Sequence, residues 1–252
     1  MGKIIAFANQ KGGVGKTTSA VNIAAALGML GKRTLLCDCD PQGNATSSVG
    51  VSRKVPQTAY DLLIERTRAR DAVVRTEFKN LDLIPANSAL NGAEFELVDA
   101  ERRESRLKNA LAELRGDYDY LIVDCPPSLG ILTINTLVAA DGVVIPMQCE
   151  FLSLEGLSQL IVSIKQVKQR WNPSLEITGI LLTMYNGRLN LTAEVVSELK
   201  KYYAAKLFRT PVARNVRLTE APGFGKPIVY FDRWSKGALA YMDNAKELTE
   251  RI

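Results

Sequence analysis

The stretch Lys11-Gly12-Gly13-Val14-Gly15-Lys16-Thr17-Thr18 constrains this chain more than any other segment. An apolar run, Ile4-Ile5-Ala6-Phe7-Ala8, precedes it, and an alanine-rich, helix-permissive stretch over 17–30 follows. A strand that feeds a glycine-rich turn opening a helix is the context a phosphate loop requires. The glycines let backbone N–H groups converge on phosphate oxygens, and the helix end adds positive potential. Lys16 is placed to reach β- and γ-phosphates, and the Thr17 hydroxyl to coordinate Mg²⁺. Gly12, Gly13, Gly15 and Thr18 complete the candidate phosphate-binding set.

The rest of the chain alternates between two patterns. Short apolar runs bounded by Gly, Pro or Asp predict buried strands over 3–9, 33–38, 81–85, 120–124, 142–146, 177–183 and 206–212. Helical patterns lie between them, over 91–114, 154–171, 191–205 and 236–252; the polar stretch 47–56 reads as a loop. In 154–171, Leu157, Leu160, Ile161, Ile164 and Val167 recur at helical spacing. Near-continuous Val/Ile/Leu strands alternating with helices predict a doubly wound, mostly parallel sheet covered on both faces. No repeat, low-complexity tract or linker divides the chain, so 1–252 is expected to be one α/β domain.

Composition excludes several classes. With 252 residues, 46% hydrophobic and 23% charged, the chain is ordinary globular material, not disordered or collagen-like. No apolar run approaches the ~20 residues of a membrane span. The short apolar stretch after Met1-Gly2-Lys3 runs straight into Asn9-Gln10-Lys11, which is unlike a signal peptide. Four cysteines in a chain this long are not a disulfide framework, and a reduced, cytoplasmic protein is expected. There is no histidine, which removes the commonest general base, the commonest zinc ligand and the Ser-His-Asp triad.

Chemistry therefore falls to carboxylates, lysines, backbone and bound metal. Asp38-Cys39-Asp40-Pro41-Gln42-Gly43-Asn44 closes the second predicted strand, so both aspartates lie near the phosphate loop; an Asx turn with a helix cap is the alternative for either one. Tyr120-Leu121-Ile122-Val123-Asp124 is a strand ending in Asp, the physical form of a Walker B element whose carboxylate holds Mg²⁺. No Asn-Lys-x-Asp segment is present to read guanine.

Taken together, the loop resembles the deviant Walker A motif, KGGxGKT, of the ParA/MinD family of P-loop ATPases. Gln10 stands where the usual motif has its first glycine, and Lys11 opens the loop instead. The resemblance extends to the DxDPQGN segment at 38–44, the DxPPSxG segment at 124–130 and Arg214-Asn215-Val216-Arg217-Leu218-Thr219-Glu220-Ala221-Pro222-Gly223-Phe224-Gly225-Lys226. It implies ATP and Mg²⁺ as cofactors and an ATPase that is weak alone and stimulated by a ParB-like partner. It implies an ATP-bound homodimer in which Lys11 reaches the partner's nucleotide. Lys11, Lys16 and Asp40 become the catalytic candidates, with Asp40 orienting the attacking water. Thr17, Asp38 and Asp124 become the metal-side residues, and Asn215 a contact to adenine. The family proline against the adenine ring is Ala213 here, with Pro211 two residues earlier.

Between Arg188 and Lys236 there are ten basic against four acidic residues, a net of +6 in a chain whose total is +5. Such concentration suggests a phosphate-binding surface, with a solvated helix face as the alternative. The resemblance implies nonspecific duplex-DNA binding by Arg188, Lys200, Lys201, Arg214, Arg217 and Lys226, and thus a nucleoid-associated protein of the short, Soj-like branch that drives chromosome or plasmid partitioning. Three alternatives accompany this reading. One is a MinD-like or protein-cargo positioning ATPase, although the charge-balanced tail predicts no stable membrane association. Another is an iron–sulfur or redox ATPase, for which Cys37, Cys39, Cys125 and Cys149 lack a C-x-x-C pair. The third is a metabolic ATP-dependent ligase on the same fold.

Overall fold

The computed structural model describes residues 1–252. Its strands are β1 (Lys3–Phe7), β2 (Thr34–Asp38), β3 (Val74–Arg75), β4 (Leu81–Ile84), β5 (Tyr120–Asp124), β6 (Gly142–Gln148) and β7 (Glu176–Thr183). They form one sheet in the order β3-β4-β2-β5-β1-β6-β7, parallel throughout except for β3 against β4. Between strands run α1 (Lys16–Met29), α2 (Asn44–Ser48), α3 (Ala59–Leu63), α4 (Leu90–Glu96), α5 (Arg106–Ala112), α6 (Ile131–Ala139) and α7 (Phe151–Arg170). Beyond β7 follow α8 (Asn190–Tyr203), α9 (Val216–Glu220), α10 (Ile228–Phe231) and α11 (Lys236–Arg251). This is the doubly wound, mostly parallel sheet with helices on both faces that the alternation predicts.

Strand alternation sorts the side chains into two cores. Ile4, Ala6 and Ala8 of the first strand and its exit face the layer built by α5, α6 and α7. Ile5 and Phe7 face the opposite layer, built by α1 and α11. Helix α1 is buried almost all round because the sheet covers one side and α11 the other, which its small alanines permit. At Gly28 a Cβ would lie 2.3 Å from the Lys79 carbonyl oxygen, so α1 meets the turn before β4 backbone to backbone.

Register brings the functional strand ends together. Phe7 and Asp38 both pair with Asp124, so β1, β2 and β5 end level at the carboxyl edge. That edge is where open α/β sheets bind ligands.

Three expectations are corrected. The stretch 91–114 is not one long helix: Arg102 takes a left-handed φ of 50°, and the chain breaks into α4, a short 3₁₀ turn and α5. Asn135 of α6 holds this break, accepting from Leu107 N at 3.1 Å and donating to Arg103 O at 2.7 Å. The stretch 206–212 is not a strand. Phe208 N and Val212 N reach β7 carbonyls, but Arg209 N turns to the Glu247 carboxylate and Pro211 has no N–H to offer. The loop expected over 47–56 begins inside α2. The two-residue β3 is too short to leave a period-2 signal.

Asn135 is fully buried and also donates to Ile131 O at 3.0 Å. Asn135→Ala strands the Leu107 N–H and the two carbonyls it serves, and is expected to cost about 2–3 kcal/mol in urea denaturation. A loss below ~0.5 kcal/mol, the range of an ordinary surface change, would show that α6 does not hold the break.

Candidate functional site

The phosphate loop leaves β1 and turns through Gly13 (φ 73°) and Gly15 (φ 81°), both in the left-handed region that favours glycine. Four of its carbonyls are taken by protein donors. Lys16 Nζ donates to Lys11 O at 3.2 Å, Gln148 Nε2 to Gly13 O at 3.0 Å, and Thr183 Oγ1 to Val14 O at 2.8 Å. Ser19 N donates to Gly15 O at 2.9 Å. The backbone N–H groups from Gly12 through Thr18 have no acceptor within the protein. A row of free N–H groups at the start of a 14-residue helix is an anion cradle. Lys16 is buried beside it, its pKa lowered by that burial against the pull of Asp124, Cys125 and Asp40.

The three aspartates sit in different environments. Asp38 is fully buried, and both of its oxygens accept hydrogen bonds. Its Oδ1 accepts from Asp40 N at 3.1 Å, and its Oδ2 from Thr46 N and Thr46 Oγ1, both at 2.8 Å. Burial still pushes its pKa up to about 6, against these hydrogen bonds. Asp40 is also buried; its Oδ1 accepts from Gln42 N at 2.9 Å, and no protein donor reaches the other oxygen. Asp124 is fully buried with both oxygens unpartnered. Burial, then the Asp38 charge, hold its carboxyl well above the usual range; the Thr17 hydroxyl stands close enough to oppose this but makes no hydrogen bond of good geometry to it.

A buried carboxylate with two orphan oxygens facing a hydroxyl and an anion cradle fits a cation shared with phosphate oxygens. No three His, Cys, Asp or Glu side chains converge as a closed cage. That suits Mg²⁺, which is usually held by one or two protein groups plus phosphates and water.

A cavity of about 580 Å³ opens beside the cradle. Gly15 and Thr18 line its loop end; Met184, Ala213, Asn215, Pro222 and Tyr241 line the remainder. Asn215 is held by capping α9, its Oδ1 accepting from Arg217 N at 2.9 Å. Ala213 lines this cavity, whereas Pro211 lies on a separate groove between β7 and α8, so Pro211 is no substitute for the missing proline wall.

Lys11 is half-exposed, and its ammonium is paired to Glu150 at the start of α7. The basic candidates divide by partner. Arg188, Lys200, Arg214 and Lys226 are exposed and carry no ion pair. Lys201 pairs with Glu198 at 2.5 Å. Arg217 pairs with Glu220 at 2.9 Å and Asp232 at 3.4 Å, and stacks over Phe231. Cys37, Cys39 and Cys125 are buried; burial raises the Cys125 thiol, and the Cys37 contact at 3.8 Å raises that of Cys39. Buried thiols of raised pKa behave as small hydrophobes.

Glu150, Gln148, Thr183 and Thr46 carry no motif of their own. Gln148 and Thr183 end strands and Glu150 follows one, a position that is the available signal; Thr46 lies inside α2 and offers none.

Residues 2–177 match the AAA domain family. Over 249 residues the chain is 54% identical to the sporulation initiation inhibitor protein Soj of Bacillus subtilis (strain 168), with 98% of each chain covered. It is 50% identical over 252 residues to the chromosome partitioning protein ParA of Myxococcus xanthus (strain DK1622), covering 100% of this chain and 89% of that one. Among solved structures, cobyrinic acid a,c-diamide synthase from Mycobacterium smegmatis with bound ADP and magnesium superimposes with a TM-score of 0.87. That pair is 40% identical, over 99% of this chain and 95% of the other.

Thr46 Oγ1 links Asp38 to the Ala86 N–H, from which it accepts at 2.9 Å. Thr46→Val keeps the shape and removes the link, leaving a buried carboxylate and a buried N–H short of a partner. Thermal or urea unfolding is expected to register a loss of about 2–4 kcal/mol. A near-neutral result would mean that the Thr46 hydroxyl does not hold the turn after β2.

Proposed function

Because the chain belongs to the Soj/ParA family of chromosome-partitioning ATPases, we propose that it is an ATP-driven switch whose nucleotide-bound dimer holds DNA. The observation that carries the reading is the row of unpartnered N–H groups from Gly12 through Thr18, with buried Lys16 beside it. These groups bind the phosphates of ATP, and Lys16 offsets their charge. The adenine enters the cavity walled by Ala213 and Asn215. Thr17 and Asp124 hold Mg²⁺, whose contribution when bound is to neutralise charge on the β- and γ-phosphates.

Asp38 takes a different part from the metal-side role expected of it. Its oxygens accept three hydrogen bonds from Thr46 and Asp40 N, which favours a part in anchoring the turn that carries Asp40. Asp40 is oriented through one oxygen by Gln42 N, which leaves the other to accept from the attacking water. With no histidine in the chain, hydrolysis rests on positioning and charge stabilisation.

Lys11 reaches the nucleotide of a second copy. Within one chain its ammonium is paired to Glu150, so dimerisation exchanges a carboxylate for a phosphate as its partner. The DNA surface is carried by the unpaired Arg188, Lys200, Arg214 and Lys226; Lys201 and Arg217 contribute less because neighbouring acids neutralise them. A ParB-like protein on DNA stimulates turnover, the dimer dissolves, and the chain leaves the nucleoid. A MinD-like membrane role is less well supported. The apolar face of α11 is buried through Ala238, Tyr241, Ala245 and Leu248, and no helix is long and apolar enough to cross a membrane.

Duplex-DNA binding is expected with ATP, to be absent with ADP or no nucleotide, and to fall steeply with salt. Arg188→Glu with Arg214→Glu is expected to weaken it by about tenfold or more and to flatten the salt slope by about 2. Equal binding in all nucleotide states would remove the switch; an unchanged slope would return these arginines to a solvated face. Asp40→Ala is expected to hold ATP and remain dimeric by light scattering, with phosphate release lost. Ordinary turnover in that variant would take Asp40 out of catalysis.

A further inference from the structure

A phosphate loop works only if its N–H groups point inward, which requires its carbonyls to be satisfied outward. Glycine permits that conformation but does not select it. The selecting groups stand at the ends of β6 and β7. Thr183, the last residue of β7, is 2% exposed. Its hydroxyl lies 2.8 Å from Val14 O and 3.1 Å from Met147 O. One hydroxyl has one proton, so Val14 O, the shorter contact, is the acceptor the loop needs. A Cβ at Gly15 would stand 3.6 Å from the Thr183 methyl, so the side chain is packed directly beneath the left-handed turn. At the end of β6, Gln148 Nε2 donates to Gly13 O at 3.0 Å and lies 2.9 Å from the Met184 sulfur. Met184 itself has a φ of 48° and turns into the base cavity.

The geometry points to Thr183, assisted by Gln148, as the positioning residue that aims the phosphate loop: its hydroxyl pins the Val14 carbonyl outward and so presents the neighbouring N–H groups to the phosphates. Neither residue belongs to the glycine-rich motif, and each sits more than 130 positions from the carbonyl it holds. The inference rests on the phosphate-loop reading given above. Loss of one such bond to a main-chain carbonyl leaves Val14 O free to turn inward, where it would repel the phosphate.

Isothermal titration with MgATP and with inorganic tripolyphosphate, which has no base, tests it. Thr183→Val is expected to weaken both ligands by the same factor, about tenfold, and Thr183→Ser to stay within about threefold of the parent. Gln148→Met, at a half-buried strand end, is expected to weaken both by about threefold, and it answers the same question if Thr183→Val does not fold. Parent-like binding by Thr183→Val overturns the inference, as does parent-like binding by Gln148→Met where that variant stands in for it. So does loss confined to ATP, which would make Thr183 a wall of the base cavity, or a serine variant as weak as valine, which would assign the role to the methyl. Lys16→Ala separates the two readings: tripolyphosphate binding kept in that variant overturns the phosphate-loop assignment itself, whatever Thr183 does.

Discussion

Backbone polar groups inside a protein must be paired, and the turn after β1 is built as the exception to that rule. Its N–H groups from Gly12 through Thr18 are left without protein acceptors, and the cost is contained by pairing the carbonyls at Lys11, Gly13, Val14 and Gly15 to Lys16, Gln148, Thr183 and Ser19. The rest of the molecule serves this arrangement. β1 must lie between β5 and β6 for Asp124 and Gln148 to flank the loop, and β7 must follow β6 for Thr183 to stand beneath it. Helix α1 must be clamped between sheet and α11 for its first turn to hold still, and the Ser19–Tyr241 contact at 3.1 Å ties the two helices at that level.

The carboxylates follow from the same geometry. Two aspartates at level strand ends and a third in the turn after β2 would repel one another in a dry interior, and the fold resolves this by giving each a different degree of satisfaction. Asp38 takes three donors, which ties it to the turn after β2. Asp40 takes one, which orients it and leaves an oxygen for chemistry. Asp124 takes none, which makes it the residue that most needs a cation. Equivalent side chains thus acquire distinct capacities from the atoms around them. The surface lysines and arginines divide by the same logic, since the nearby acids neutralise Lys201 and Arg217 but leave Arg188 and Arg214 free.

Much of this was legible in the chain before its fold. The buried strands β1, β2, β5 and β6 announce themselves as short apolar runs because both of their faces are covered. The phosphate loop is legible because its residues are local and its backbone demands are severe. The failures share one cause. The break between α4 and α5 is fixed by Asn135 from another helix, and the non-strand at 206–212 by Glu247 from α11, neither of which a local pattern contains. The three donors on Asp38 were hidden too, because a DxD segment reads the same whether or not a threonine has folded back onto it.

The sequence by itself determined the α/β class, the phosphate loop with Lys11, Lys16 and Thr17, the strand-end aspartates and the basic segment, because each depends on residues adjacent along the chain. The tertiary structure decided which aspartate is free, which carboxylate holds Lys11, which arginines are unpaired and which side chains turn the loop's carbonyls outward. Some of those outcomes depend on partners more than 100 positions away, as with Thr183 and Val14 or Glu150 and Lys11, and others on a nearby turn or helix, as with Thr46 on Asp38; in both cases a hydrogen bond or ion pair exists only where the fold sets its two atoms within about 3 Å.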